Sequence, residues 1–260
     1  MIKKYSIYNL IVFSLLFFST SSFAVLYDFD SGTSGFTLYG DAIVNSGSIQ
    51  LTAPAIGQSG SIFLDTALNA TSFSASFDYW NAEPRYGVYG GDGITFAWAT
   101  SPGIGGGGGE LGFTGLNGYM VEFDTYWNSG YDPADTLYNG DDTDHVAVGT
   151  EVSSTLAYAI LPEMEENGWH HIDVAFDNGL IQVAFDGIEY INYSIADYVG
   201  FDAYFGFTGS TGASFSRQLI DNFDLTINQS SEPVPEPSTL LLLGGGLAGL
   251  AWCRRKRKKA

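Results

Sequence analysis

Short segments in which apolar and polar residues alternate recur along the whole chain. They are rich in aromatic and β-branched residues, and clusters of glycine, asparagine, aspartate and serine separate them. This period of two predicts half-buried β-strands. The predicted strands are Ser48 to Leu51, Ser72 to Tyr79, Gly93 to Ala99, Gly118 to Thr125, His145 to Val148, Trp169 to Phe176, Leu180 to Phe185, Tyr204 to Thr208 and Ile220 to Ile227.

The number and shortness of these segments predict an all-β fold. The pair Asn178-Gly179, between two alternating segments, is typical of a two-residue hairpin turn. Together with 33 glycines and 19 phenylalanines, the pattern predicts an antiparallel β-sandwich of the jelly-roll kind with long loops. Because neither a linker nor a repeat divides it, residues 25–231 are predicted to form one domain.

The N-terminus, residues 1–24, has the pattern of a secretory signal peptide. Lys3 and Lys4 precede an apolar run from Leu10 to Phe18, and Ser22-Phe23-Ala24 offers small residues for cleavage. We therefore expect the mature chain to begin at Val25. The alternative, a membrane anchor, is disfavoured because the apolar run is well below the ~20 residues of a spanning helix.

The C-terminus, residues 232–260, has three parts: Val234-Pro235-Glu236-Pro237, an apolar stretch from Leu240 to Trp252, and the basic run Arg254 to Lys259. This order closely resembles the PEP-CTERM sorting signal of exported bacterial proteins. The resemblance implies a short transmembrane segment held transiently in the inner membrane of a Gram-negative bacterium, cleavage by an exosortase-type protease, and a cell-surface or extracellular location. A plain tail anchor is the alternative.

The charge of the body excludes several classes of function. The chain has 10 basic and 29 acidic residues, and only Arg85 and Arg217 lie between the two basic termini. Such an acidic surface repels nucleic acid and anionic membranes but suits divalent cations and neutral ligands such as sugars. The single cysteine, Cys253, leaves the body without a disulfide or a thiolate ligand.

Acidic residues cluster around one predicted strand. Glu122 and Asp124 are two residues apart and face the same side of it, and Asn128 and Asp132 follow in a loop. Adjacent carboxylates repel each other unless a cation lies between them, and calcium takes six to eight oxygen ligands of this kind. His145 adds a nitrogen, which favours a transition metal at a second site. The neighbouring Asp141, Asp142 and Asp144 are interpreted as a solvated loop.

The segment from Tyr119 to His145 resembles the metal-binding core of the legume-lectin-like (L-type) lectins. The resemblance implies calcium held by Asp124, the main-chain oxygen of Tyr126, Asn128 and Asp132. It implies manganese or another transition metal held by Glu122, Asp124, Asp132 and His145. One extra residue between Asn128 and Asp132, and a longer loop before His145, depart from the family pattern, and the second departure bears on the transition-metal site.

Three further segments resemble the sugar-contact loops of the same family. Gly91-Asp92-Gly93 matches the loop whose aspartate accepts hydrogen bonds from sugar hydroxyls, usually after a cis peptide. Gly109 to Phe113 matches the loop whose glycine amide donates to the sugar, and the segment after Phe205 matches the variable specificity loop. The implied carbohydrate-binding residues are Asp92, Gly109, Tyr126, Asn128, Ala213 and Ser214.

The resemblance implies a legume-lectin/concanavalin-like sandwich and an exported, calcium-dependent lectin, not an enzyme, with exopolysaccharide or another glycan as its partner. A glycan hydrolase of similar fold is one alternative, but Trp127 stands where its second catalytic glutamate is needed. A structural matrix protein that has lost sugar binding is the other.

Overall fold

The computed structural model describes residues 22–85, 90–133, 137–138, 141–142, 144–165 and 168–228. Nearly all regular structure in this part of the chain is β-strand, and a single 3-10 turn spans Gly108–Glu110. The strands are β1 (Ser22–Tyr27), β2 (Phe36–Gly40), β3 (Ile43–Asn45), β4 (Ser48–Thr52), β5 (Ser59–Leu64), β6 (Leu68–Asn69), β7 (Ser72–Ala82), β8 (Gly93–Ala99), β9 (Gly118–Asp124), β10 (Leu137–Tyr138), β11 (Asp141–Asp142), β12 (His145–Gly149), β13 (Thr155–Ile160), β14 (His170–Asp177), β15 (Leu180–Phe185), β16 (Ile188–Ser194), β17 (Asp202–Ser210) and β18 (Arg217–Asn228).

Two antiparallel eight-stranded sheets form the body. The first has the order β16-β15-β14-β7-β18-β4-β3, and β1 pairs with β18 beside it. The second has the order β13-β12-β9-β8-β17-β5-β2, and β6 pairs with β17. Strands distant in the sequence are neighbours in both sheets, as the crossovers of a jelly-roll sandwich require. The predicted all-β antiparallel sandwich is confirmed.

The core lies between the two sheets and is dominated by aromatic rings. Phe96, on the second sheet, is fully buried. Its ring lies 5.7 Å from that of Phe77 and 5.5 Å from that of Phe207, centroid to centroid. Such close ring contacts add to the free energy gained by burying apolar surface. The high phenylalanine content therefore supplies the interior of the sandwich.

A second apolar cluster covers the outer face of the second sheet. Met120 on β9 packs there with Leu111 and Phe113 from the loop between β8 and β9. Hydroxyl groups hold this loop down: Thr208 Oγ1 donates to the Leu111 carbonyl oxygen at 2.6 Å, and Ser210 Oγ donates to Gly108 at 2.6 Å. The loop that carries Gly109 is therefore fastened to the sheet beneath it.

All nine strands predicted from alternation are present, with ends within a few residues. In the predicted hairpin, Asn178 and Gly179 have φ angles of 47° and 94°, which is the left-handed geometry of a type I′ turn. The strands β2, β13 and β16 were not predicted. On β13 the side chains do alternate in burial, but its outward residues Leu156, Tyr158 and Ile160 are apolar, so the sequence shows no polar–apolar alternation. Within the part of the chain that the structure describes, no helix is long and apolar enough to cross a membrane. The predicted C-terminal transmembrane segment lies outside the described residues.

Candidate functional site

The register of β9 and β12 brings the predicted metal ligands together. Asp124 lies opposite His145 in this pairing. Val121 and Phe123 point into the core between the sheets. Because side chains alternate along a strand, Glu122 and Asp124 point to the outer face of the second sheet. The strand geometry thus places both carboxylates beside the imidazole.

This group of side chains is compact and buried. Asp124, Asp132 and His145 each offer a ligand atom within 4.8 Å of the others. His145 Nε2 lies 3.5 Å from Glu122 Oε1. Glu122, Asp124 and His145 are at most 1 % exposed. Asp124 Oδ2 and both carboxylate oxygens of Glu122 are buried without a hydrogen-bond partner.

Burial makes the charged carboxylates costly in the absence of a cation. It raises the pKa of Glu122, although the nearby His145 lowers that pKa in part. Burial also raises the pKa of Asp124 well above its usual range, and the charges of Asp132 and Glu122 raise it further. Buried carboxylates are normally hydrogen-bonded, paired or metal-bound. The orphaned oxygens and the oxygen-plus-imidazole donor set therefore fit a metal centre.

The loop after β9 is folded around the same carboxylates. The Tyr126 N–H donates to Asp124 Oδ1 at 2.8 Å. The Asn128 N–H donates to Asp132 Oδ2. In return, the Asp132 N–H donates to the Asn128 carbonyl oxygen at 3.2 Å. The four residues of the predicted calcium set, Asp124, Tyr126, Asn128 and Asp132, thus share one loop held by its own hydrogen bonds.

One detail differs from the predicted calcium ligands. The amide nitrogen of Asn128 donates to the Tyr126 carbonyl oxygen at 2.8 Å. The predicted calcium set uses both the Asn128 amide oxygen and the Tyr126 carbonyl oxygen. For both to bind one ion, the side-chain amide of Asn128 has to present its oxygen, not its nitrogen, on the side of Tyr126.

Asp92 lies beside this loop and is 3 % exposed. The Gly91–Asp92 peptide bond is cis, as the resemblance predicts. The backbone of Asp92 is held on both sides, since its N–H donates to Ser210 at 3.0 Å and its carbonyl accepts from the Thr125 N–H at 2.8 Å. Its Oδ1 accepts a hydrogen bond from Asn128 Nδ2 at 3.0 Å.

Two glycines bring further backbone against these side chains. A Cβ added at Gly109 would lie 2.4 Å from Asn128 Cγ, and one added at Gly212 would lie 3.1 Å from Asp92 Oδ2. Only glycine allows such an approach at Gly109, since real Cβ contacts are longer. The loops of Gly109 and Gly212 therefore border the Asp92–Asn128 pair.

The remaining predicted sugar contacts surround the same place. A Cβ added at Gly91 would lie 3.0 Å from Ser214 Cβ and 3.2 Å from Tyr126 Cβ. Tyr126 is 37 % exposed and Ser214 is 6 % exposed. Ala213 is exposed between Gly212 and Ser214. All six predicted carbohydrate-binding residues thus lie on loops that meet at Asp92.

The sequence analysis was wrong about Asp144 and silent about two other acids. Asp144 is 6 % exposed instead of solvated, because its carbonyl and carboxylate accept hydrogen bonds from Leu161 and Met164. Glu163 and Glu165 lie near it. No sequence motif identifies Glu163 and Glu165 as a site. They lie beside Asp144 because the segment after β13 packs against the residue before β12. The side chains of Asp141 and Asp142 are outside the described part of the structure.

Solved structures with the same fold include two lectins and the exoplasmic/lumenal domain of VIP36. A lectin from Bauhinia forficata in complex with GalNAc has a TM-score of 0.67 at 17% identity, covering 80% of this chain and 99% of that chain. Peanut lectin with a 9mer peptide has a TM-score of 0.61 at 28% identity, covering 80% and 97%. The exoplasmic/lumenal domain of VIP36 in its Ca2+/Man-bound form has a TM-score of 0.64 at 16% identity, covering 79% and 87%.

Two family models match the sequence. The PEP-CTERM protein-sorting motif matches residues 233–256, which indicates an exported protein with a C-terminal sorting signal. The legume lectin domain matches residues 17–240, most of the chain. The sandwich topology and the loops that meet at Asp92 agree with this second match, and the chain belongs to the legume lectin domain family.

Proposed function

We propose that this protein is a calcium-dependent carbohydrate-binding lectin. The observation that carries the proposal is the meeting of Asp92, Gly109 and Asn128 beside a buried group of carboxylates. A sugar hydroxyl is both donor and acceptor, so a binding pocket needs a carboxylate, an amide and a backbone donor in one place. The exposed Tyr126 ring adds an apolar platform for one face of the sugar.

In this proposal calcium organises the loop and does not contact the sugar. Asp124, the Tyr126 carbonyl, Asn128 and Asp132 would hold the ion, and the second site of Glu122, Asp124, Asp132 and His145 would hold manganese or another transition metal. The Asn128 oxygen would then face calcium, which leaves its amide nitrogen for the sugar. The hydrogen bond from Asn128 Nδ2 to Asp92 Oδ1 connects the metal-binding loop to Asp92. Calcium that orders this loop would therefore also fix the carboxylate of Asp92, which contacts the sugar in this proposal.

The first test is glycan-array binding by the purified protein, with calcium and then with excess chelator. Binding to a defined class of sugar that the chelator abolishes is the expected result. It would also identify the ligand, which the shape of the loop around Ala213 and Ser214 determines. A folded protein that takes up calcium but binds no glycan under either condition would favour the non-binding matrix protein.

Substitutions separate the sugar contact from the metal site. Asp92→Ala should abolish sugar binding but keep calcium binding and the fold, because Asp92 is outside the proposed metal ligands. Asp202→Asn, which removes an exposed carboxylate from β17, is the matched control and should bind as the wild type does. Asp124→Ala should lose calcium and sugar together, and retained calcium affinity would show that the metal site is misplaced.

We also propose that the protein binds glycans without cleaving them. The hydrolase alternative needs a glutamate pair on β9 that a sugar can reach. Glu122 is 0 % exposed, and Trp127 occupies the position of the partner glutamate. Release of reducing ends from the bound glycan, at a rate that Glu122→Gln abolishes, would refute this part of the proposal.

The proposed route to the cell surface uses both termini. The signal peptide would be removed after Ala24, and an exosortase-type protease would cleave near Val234 to Pro237 after transient anchoring in the inner membrane of a Gram-negative bacterium. Val25 to Tyr27 would remain paired with β18 after the first cleavage. Mass spectrometry of the protein recovered from the cell surface should find both new ends. An intact C-terminus would favour a permanent tail anchor.

A further inference from the structure

A second group of acids begins at Asp144, the residue directly before the proposed metal ligand His145. Asp144, Glu163 and Glu165 each offer a carboxylate oxygen within 4.8 Å of the others. Asp144 and Glu165 are 6 % and 3 % exposed, whereas Glu163 is exposed. The group therefore has two buried members and one member open to solvent.

Three backbone N–H groups, from two segments of the chain, hold this group in place. Asp144, directly before β12, accepts hydrogen bonds from the Leu161 N–H at its carbonyl oxygen and from the Met164 N–H at Oδ2. Glu165 Oε1 accepts from the Gly90 N–H at 2.9 Å. The segment from Leu161 to Glu165 thus joins the start of β12 to the loop that carries Asp92.

Two buried oxygens at this group lack hydrogen bonds. Glu165 Oε2 and the Tyr79 hydroxyl are both buried without a partner. Tyr79 is on β7 and is 0 % exposed. Burial raises the pKa of Tyr79 most, and the negative charges of Glu165, Asp144 and Asp124 raise it further. A buried phenol without a partner is costly, so an additional ligand would satisfy it.

The carboxylates also need a balancing positive charge. Burial, with the adjacent Glu163 and Asp144, raises the pKa of Glu165 to about 11. Arg217 is paired with a different acid. Arg217 Nη2 lies 3.2 Å from Glu83 Oε2, and Arg85 donates to the Ala213 carbonyl oxygen.

We propose that Asp144, Glu163 and Glu165 form an additional binding site for a divalent cation, with calcium as its ion. The donors are all oxygens, which favours calcium over a transition metal. The exposed Glu163 side leaves room for water to complete the coordination. An ion here would tie the segment after β13 to Gly90, two residues before Asp92. The proposal does not depend on sugar binding.

Calcium titration of the purified full-length protein by calorimetry, after treatment with a chelator, tests the site. Glu163→Gln is the main variant, because the exposed side chain of Glu163 leaves folding unaffected. We expect one calcium-binding event to weaken by about tenfold or more when a charged ligand is lost. Glu151→Gln, which removes an exposed carboxylate from the loop before β13, should titrate like the wild type.

Two further variants make the result decisive. Glu165→Gln should weaken the same event, since it keeps an acceptor for Gly90 but removes the charge. Asp124→Ala should leave that event in place while it removes binding at the lectin centre. If the Glu163→Gln and Glu165→Gln proteins both bind calcium as the wild type does, the proposal is overturned, and a proton balances the charge of the acid group instead. A folded Asp124→Ala protein that binds no calcium would overturn it as well.

Discussion

Replacement of Gly109 by alanine tests the sugar site through one added methyl group. The new Cβ would lie 2.4 Å from Asn128 Cγ and 2.7 Å from Asn128 Cβ. Ordinary carbon contacts are about 3.5 to 4.0 Å, so Asn128 has to move by roughly 1 Å. Its Cβ is close to the backbone, and a side-chain rotation alone cannot relieve the contact.

The movement removes Asn128 from its partners. Its amide nitrogen donates to Asp92 Oδ1 at 3.0 Å and to the Tyr126 carbonyl at 2.8 Å. A hydrogen bond to a charged group contributes about 1.5 to 3 kcal/mol. If the loss of this hydrogen bond is expressed in the free energy of sugar binding, Gly109→Ala should weaken sugar binding by about 10- to 100-fold. Calcium affinity should fall as well, because Asn128 belongs to the proposed calcium ligands.

Gly107→Ala on the same loop is the matched control. A Cβ at Gly107 would meet only Ser59 Cβ, at 3.9 Å, and its φ of −93° suits alanine. Sugar affinity can be measured by calorimetry with the glycan found on the array, and circular dichroism checks the fold. Sugar affinity within about twofold of the wild type in a folded Gly109→Ala protein would refute the proposed role of this contact.

Three further predictions concern stability. Calcium at about 100 times its dissociation constant should raise the unfolding free energy by about 2.7 kcal/mol and Tm by roughly 5 to 10 °C; an unchanged Tm in calorimetry after chelation would contradict this. The hydrogen bond to Asp78 raises the pKa of His171, so its stabilising effect is present at low pH and lost as pH rises through that pKa. His171→Gln should therefore lower Tm more at about pH 5 than at about pH 9, and an equal effect at both would contradict the pairing. Phe96→Ala should cost about 3 to 5 kcal/mol in urea unfolding, whereas the exposed Val199→Ala should change stability by less than about 0.5 kcal/mol; similar costs would refute the assigned core.

The strands of the sandwich could be predicted because alternation is a local property. A strand buried on one face needs apolar residues at every second position, and segments such as β14 and β15 show this directly. The same rule placed Glu122 and Asp124 on one face. Short edge strands such as β2 were missed because a few residues with partly exposed side chains carry little periodic signal.

The residues of the candidate site could be named from motifs. Their proximity in the folded chain could not be derived from their separation along the sequence. Asp92, Gly109, Asn128 and Ser214 are far apart in the chain. The pairing of β8 with β9 and β17 brings Asp92, Asn128 and Ser214 to one end of the second sheet. Gly109 reaches the same end because its loop, which leaves from the other end of β8, folds back over the sheet and is held there by hydrogen bonds from β17. The roles of these residues in sugar and metal binding stay predictions until the binding experiments are done.

Sequence alone determined the all-β class, the lectin family resemblance, the acidic character and the C-terminal sorting motif, because each depends on local pattern or composition. Tertiary structure decided which polar groups are buried. Asp144 was expected to lie in a solvated loop, and no sequence motif marks Glu165, yet the packing of the chain after β13 against β12 and Gly90 buries both. Burial depends on what other segments cover a residue, and for that reason the acid group of Asp144, Glu163 and Glu165 became evident only in the folded chain.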